Sequence, residues 1–404
     1  MSGDTAVIDR AGLDRLVDVL RDNGYRVIGP QLRDNAIVLD ELDSGTQLPG
    51  GWGVETAPGR YRVYRRADVA VFAHSAGPGS WKQFLLPPRR KVWETGPDLN
   101  PRPVEQRRGH MAFLGVRGCD LTAISVLGRV LGGGAHPDPT FAGPSGTRAA
   151  ESIDTAAGHS GGGRDDRDLT AADDQTPFVV AVNCTEPGGV CFCASMGTGP
   201  GVAPGYDLAL TERLDDDGHR FLVDIGSDIG ARILAEVTSR PAEATEVSDA
   251  RAAVSAAAGR MGRTMPETDI RTLIRDSRES PHWQDVASRC LTCANCTMVC
   301  PTCFCTSTED VTDLTGDHAE RWERWASCFE LDFSYLHGGS VRQSGAGRYR
   351  QWLSHKLGTW YDQFGSSGCV GCGRCIAWCP AGIDLTAEVA RLAELAEGAG
   401  DDDG

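Results

Sequence analysis

A chain of 404 residues with 40% hydrophobic content is long enough to bury more than one core, which favours two or three domains. Its net charge of −16 at pH 7 and pI near 5.0 argue against a nucleic-acid or anionic-membrane surface, since both need clustered cations. No apolar stretch approaches the roughly 18 residues that span a bilayer, and Met1–Thr5 lacks the basic start and apolar core of a signal peptide, so the sequence reads as cytoplasmic, without nucleic-acid or membrane partners.

In chain order, Leu13, Leu16, Val17 and Leu20 share one helical face, Asn23-Gly24 stops that helix, and a strand follows near Tyr25–Ile28. Short alternating runs between Ala36 and Tyr64, punctuated by Gly and Pro around Leu48–Trp52, read as hairpin strands. The apolar run Ala112–Val116 reads as a buried strand, with Asp120 a candidate cap for a helix through Leu131. From about 132 to 176 the chain is Gly-, Asp- and Ser-rich with almost no large apolar residue, the composition of a disordered insertion. Strands are expected again at Phe178–Val182, Asp207–Leu210 and His219–Val223, then helices over Ile229–Val237, Glu246–Gly259, Thr268–Ile274 and Leu385–Leu395. The organisation predicted is an α/β docking domain over 1–131 and 177–240, an α-helical ferredoxin-like domain over 241–397 that carries two 4Fe-4S clusters, and a disordered acidic tail at 398–404.

The chemistry lies in two cysteine runs, Cys290-x2-Cys293-x2-Cys296-x3-Cys300-Pro301 and Cys369-x2-Cys372-x2-Cys375-x3-Cys379-Pro380. In this spacing three thiolates sit on one tight loop and grip three irons of a cube, while the fourth leaves on a turn that ligates the other cluster. One 4Fe-4S cluster is therefore expected on Cys290, Cys293, Cys296 and Cys379, and the second on Cys369, Cys372, Cys375 and Cys300. Zinc is the weaker reading, because zinc motifs set cysteines in separated C-x2-C pairs and four in eleven residues would crowd one tetrahedral ion. A reducing cytosol likewise disfavours disulfides among the fifteen cysteines.

Subtracting eight leaves Cys119, Cys184, Cys191, Cys193, Cys303, Cys305 and Cys328. Two triplets stand out, Cys184/Cys191/Cys193 in a Gly/Pro loop, which Cys119 would complete, and Cys303/Cys305/Cys328. An additional iron–sulfur or zinc site competes there with ordinary buried thiols. The 68 residues between Cys300 and Cys369 exceed what a compact two-cluster ferredoxin needs, and helical patterns flank both runs. Trp322, Trp325, Trp352 and Trp360 in that insert read as core packing, with shielding of the clusters from water as the second role. Gly197-Thr-Gly199-Pro-Gly201 lacks the strand–helix context of a phosphate loop, and Pro200 removes a donor amide, so it reads as a plain loop. His355, Lys356 and Arg374 could tune a cluster's potential, although such cations ordinarily lie on the surface.

Several stretches together resemble a family: Gly24-Tyr-Arg-Val-Ile-Gly29-Pro30, Gly79-Ser-Trp-Lys82 before Pro87-Pro88, Gly115-Val-Arg-Gly-Cys119-Asp120, Asn183-Cys184-Thr-Glu-Pro187, Cys191-Phe-Cys193 and Cys300-Pro-Thr-Cys303-Phe-Cys305. They resemble the beta subunit of cytosolic NAD(P)-linked nickel-iron hydrogenases, or sulfhydrogenases, and the related electron-relay subunit of anaerobic sulfite reductase. The resemblance covers nearly all of the chain outside 132–176, with Arg117-Gly118-Cys119 departing from the family's Arg-Pro-Cys. It implies a relay that passes single electrons between a hydrogenase small subunit, beside a nickel-iron large subunit, and a flavoprotein gamma subunit that reduces NAD(P). No catalytic residue is expected in this chain. The alternatives are the sulfite reductase relay and, from another class, a non-redox structural module with zinc sites.

Overall fold

The computed structural model describes residues 5–104, 109–133, 137–138, 140–141, 176–216 and 218–401. Asp9 ends strand β1 (Thr5–Asp9) and caps the helix after it: its carboxylate accepts a 2.7 Å hydrogen bond from the Gly12 amide, a donor that a helix start leaves unpaired. That helix, α1 (Arg10–Asp22), buries the expected stripe of Leu13, Leu16, Val17 and Leu20. The strand expected near Tyr25 is β2 (Arg26–Arg33), which turns back into β3 (Ala36–Glu41), while β4 (Trp52–Ala57) and β5 (Arg60–Arg65) make a separate hairpin. A short helix, α2 (Lys82–Leu85), leads to β6 (Arg89–Thr95) and β7 (Arg102–Pro103). The fully buried β8 (Met111–Arg117) runs into α3 (Gly118–Gly132), and β9 (Phe178–Val182), β10 (Leu208–Asp215), β11 (Gly218–Ile225) and β12 (Arg240–Pro241) follow.

These strands form a mixed eight-stranded sheet in the order β12-β1-β11-β10-β9-β8-β2-β3. The centre is parallel: β2 pairs with β8, β8 with β9 and β9 with β10 in the same direction. Side-chain alternation gives each face its own core. Ala112, Leu114, Val180 and Val182 join α1 and the helix Asp228–Ala235 on one side, while Phe113, Val179 and Ala181 join Trp81, Leu121 and Leu127 on the other. Past residue 240, the bound expected for this part, β12 still pairs with β1 and the helix Ala244–Ala258 packs Ala250 on Val7 and Leu222.

Beyond the sheet the chain is largely helical, with helices at Ile270–Asp276, His282–Arg289, Gly345–Ser354, Trp360–Phe364 and Leu385–Asp401 enclosing a second core of Trp283, Trp352, Leu353 and Val389. The last helix continues past Gly398, where the sequence suggests a tail. The insert between the cysteine runs is not all helix. It opens as a hairpin, β13 (Thr306–Thr312) and β14 (Ala319–Trp325), and β14 pairs antiparallel with β6 to give a four-stranded sheet β13-β14-β6-β7 that ties the insert to the N-terminal part. Complementary charge sets that pairing, with Lys91 2.6 Å from Glu320 and Arg90 on Glu323. A smaller hairpin, β15 (Tyr335–Leu336) and β16 (Gly339–Ser340), follows. Trp352 and Trp360 are core residues as expected, but Trp322 and Trp325 lie half-buried on the hairpin, under Arg89 at 4.2 Å and Lys82 at 3.8 Å respectively. Most of the insertion read as disordered at 132–176 lies outside the described residues; within it Asp138 pairs with Arg90 and Phe141 is buried in the Trp81 core.

Candidate metal centre

The two runs share one backbone path. Thr292 and Ala294 in the first have φ of 49° and 66°, and the matching Gly371 and Gly373 in the second have 67° and 73°. A left-handed residue on either side of the second cysteine curls each C-x2-C-x2-C segment into a loop that turns three thiols inward. Thr and Ala adopt that conformation only against a cost of roughly 1–2 kcal/mol each, so the loop and not the residue dictates the geometry. A single turn of helix follows each loop, at Asn295–Met298 and Arg374–Ala377.

The first centre is a recess with about 460 Å³ of empty space, lined by Cys290, Cys293 and Cys296 from the first run and by Cys379 and Cys375 from the second. Tyr349 and Trp352 also line it, and the Tyr349 hydroxyl and Trp352 indole N–H are buried with no hydrogen-bond partner among the described residues. Buried donors seldom stay unpaired. Unpaired donors beside these thiols fit an acceptor-rich group such as a 4Fe-4S cube with its bridging sulfides. Burial drives the Cys296 thiol well above the usual range. Cys293 is exposed and its neighbour Leu291 is 65% exposed, which puts this recess at the protein surface.

Around the second run the surroundings are drier. Cys300 and Cys369 are buried, and Cys375 is pushed well above the ordinary thiol range by burial and then by the charges of Cys369, Cys372 and Cys300, which crowd around it. The Lys356 ammonium donates to Cys300 Sγ at 3.2 Å, to Thr302 Oγ1 at 3.1 Å and to the Gly368 carbonyl at 2.9 Å. A hydrogen bond with Cys303, opposed by burial and reinforced by Lys356, holds Cys300 well below the ordinary thiol range. Lys356 is not a surface cation: it is 3% exposed and sits in a π-helical turn, His355–Thr359, that widens the helix and aims it inward. Burial works against its charge, but Cys300, Cys303 and Cys369 keep the ammonium well above the usual lysine range.

Arg374 is also buried, its guanidinium reaching Asp120 at 2.8 and 3.3 Å and the Gly79 carbonyl at 3.1 Å. Asp120 therefore does not cap α3, which begins two residues earlier at Gly118; it is the counter-ion of a cation on the second run. Lys82, which the sequence marks only as part of the Gly79–Lys82 stretch, donates its amine to the Cys303 carbonyl at 3.0 Å, and its charge is opposed chiefly by burial. Cys305 and Cys328 lie close enough to interact, and burial raises both thiols.

Cys119, Cys184, Cys191 and Cys193 line a further cavity of about 730 Å³, to which Cys372 also contributes. The loop Gly197–Gly201 serves this wall and no phosphate: a Cβ on Gly199 would lie 2.9 Å from Cys193 Sγ. Among the described residues, the side-chain group whose ligating atoms all lie within 4.8 Å of one another is Glu94, His318 and Glu320, and no cysteine triplet. Cys119 and Cys193 are close enough to hydrogen-bond, as are Cys300 and Cys303.

Residues 289–383 match the family model of the 4Fe-4S dicluster domain. The chain is 28% identical over 320 residues to sulfhydrogenase 2 subunit beta of Pyrococcus furiosus, an alignment that covers 78% of this chain and 83% of that protein. No solved structure matches it. The resemblance read from the motifs thus extends across most of both chains, and this chain is an iron–sulfur electron-transfer protein. No helix among the described residues is long and apolar enough to cross a membrane.

Proposed function

We propose that this chain is the electron-relay subunit of a cytosolic NAD(P)-linked nickel-iron hydrogenase of the sulfhydrogenase type, working between a flavoprotein subunit and the small subunit of the hydrogenase. It holds two 4Fe-4S clusters with crossed ligation, one on Cys290, Cys293, Cys296 and Cys379 and the other on Cys369, Cys372, Cys375 and Cys300. The observation that carries this reading is the recess in which three thiols of the first run meet Cys379 of the second, with Cys375 also at its wall. Its likeness in sequence to a sulfhydrogenase beta subunit supports the choice of complex over the sulfite reductase relay.

A 4Fe-4S cluster supplies a one-electron couple whose potential follows from net charge, hydrogen bonds to sulfur and solvent exposure. The protein's own residues set those three quantities differently at the two centres. Exposed Cys293 and Leu291 open the first to a partner, while the buried Cys369 and Cys300 exclude water from the second. Lys356 donates to Cys300 and compensates negative charge there, which favours the reduced state.

Affinity-tagged full-length chain, isolated without oxygen from its native host, tests the reading. Co-purification of a nickel protein and a flavoprotein with a brown, iron-bearing chain is the expected result. A siroheme protein in their place would assign it to a sulfite reductase, and a colourless zinc protein would end the electron-transfer reading.

A further inference from the structure

We propose that Cys119, Cys184, Cys191 and Cys193 hold a third 4Fe-4S cluster, walled on one side by the loop of the second run; the inference rests on the two-cluster reading and extends it. Sheet topology assembles the site. Strands β8 and β9 are parallel neighbours, with Arg117 opposite Val182 at their carboxyl ends. Cys119 and Cys184 each stand two residues beyond that last pair, at the strand ends where open α/β sheets place their ligands. A β-bulge at Gly115, whose φ of 100° suits only glycine, shifts the register between Leu114 and Val116 and re-aims the residues after it. The loop after β9 then returns Cys191 and Cys193 to the same cavity.

The walls suit an anionic cube. Arg117 Nη1 lies 3.5 Å from Cys184 Sγ, Arg374 lines the cavity with its partner Asp120, and the lining carboxylate Glu186 is held by Arg66 at 2.8 Å, which leaves Arg117 facing the thiols. His74 also lines the cavity, and its Nε2 is buried with no hydrogen-bond partner among the described residues. No three of the thiols close to the spacing of a mononuclear zinc site.

Contact with the second run is direct. The Phe192 amide donates to the Gly371 carbonyl at 2.9 Å, and Thr198 Oγ1 to the Val370 carbonyl at 2.6 Å. A Cβ on Gly371 would come within 2.6 Å of the Cys193 backbone, and one on Gly373 within 2.3 Å of the Val190 carbonyl. Cys372, a ligand of the second cluster, faces this cavity too. The relay then has three centres: an exposed first, a buried second, and a third at the sheet's carboxyl edge against the loop of the second run. An electron gained at the third is one lost at the second, with no proton to be moved by the chain.

Full-length chain purified without oxygen, with iron and acid-labile sulfide counted per polypeptide, tests the site. Roughly twelve of each are expected for the wild type, and roughly eight for the double variant Cys184→Ala/Cys191→Ala with the EPR signals of the other two clusters retained. Roughly eight irons in the wild type would overturn the third cluster and leave the two-run reading standing, an outcome that needs no variant to fold. Roughly twelve irons in both proteins would move the third cluster elsewhere, and zinc bound beside eight irons would make the site structural. No iron at all would overturn the reading on which the inference rests.

Discussion

Lys356→Met is expected to lower the midpoint potential of the second cluster by about 60–120 mV. The wild-type ammonium is 3% exposed and donates to Cys300 Sγ at 3.2 Å, so it contributes both a charge and a hydrogen bond to a ligand sulfur. Reduction adds one negative charge spread over the cube. A unit charge about 6 Å from that density, at an effective dielectric of about 20, interacts by about 3 kcal/mol, close to 120 mV for one electron. Water entering the vacated space would raise the dielectric and about halve the figure. The sign is fixed: a cation stabilises the reduced form more than the oxidised one, and its removal makes the potential more negative. Methionine roughly fills the lysine stem's volume, and Thr302 Oγ1 still donates to the Gly368 carbonyl at 2.6 Å, so the substitution removes charge without orphaning that acceptor. An EPR-monitored redox titration of the anaerobic full-length chain reads the shift, and Lys356→Arg, which keeps the charge, should restore most of it. A change in Lys356→Met below about 20 mV, or a positive one, would refute the reasoning, because no placement of a buried cation against a thiolate gives either.

Cys379→Ser should damage the cluster on Cys290, Cys293 and Cys296 and spare the other; selective loss of the second cluster's EPR signal would show that the crossed ligation is wrong. Arg374→Ala leaves Asp120 buried without its counter-ion and should destabilise the protein by about 3–5 kcal/mol in anaerobic urea unfolding, whereas Arg374→Met/Asp120→Leu should cost much less. Gly371→Ala must both hold a φ of 67° and push the Cys193 backbone away, so it should release iron from the second run, while Thr292→Gly at the matching position of the first run should retain full iron and gain stability slightly.

The two runs were legible because their chemistry is local: four thiols within eleven residues declare a cluster whatever surrounds them. The strands and helices of the sheet were legible for the same reason, through the periodicity of segments such as Leu13–Leu20 and Phe178–Val182. What escaped was non-local. Arg89–Thr95 is too charged to read as a strand alone, and becomes one where β14 sets Glu323 opposite Arg90 and brings Glu320 diagonally within 2.6 Å of Lys91. Lys356 and Arg374 look like surface residues by type, since only tertiary structure supplies the thiolates and the carboxylate that let a cation be buried.

The difference between the runs carries more information than their likeness. Thr292 and Ala294 hold the left-handed turns of the first loop without glycine, so the turn itself does not require one. Gly371 and Gly373 at the same places in the second loop must therefore answer to something else, and the backbone of Val190–Cys193 lies where their Cβ atoms would be. A glycine pair in one of two matched motifs thus reports a neighbour at van der Waals distance, and the neighbour here bears two of the four thiols of the third site. The open loop meets solvent through Cys293, and the closed one meets Cys193. In the relay proposed above, that asymmetry would set the first run toward a partner and leave the second run as the inner link.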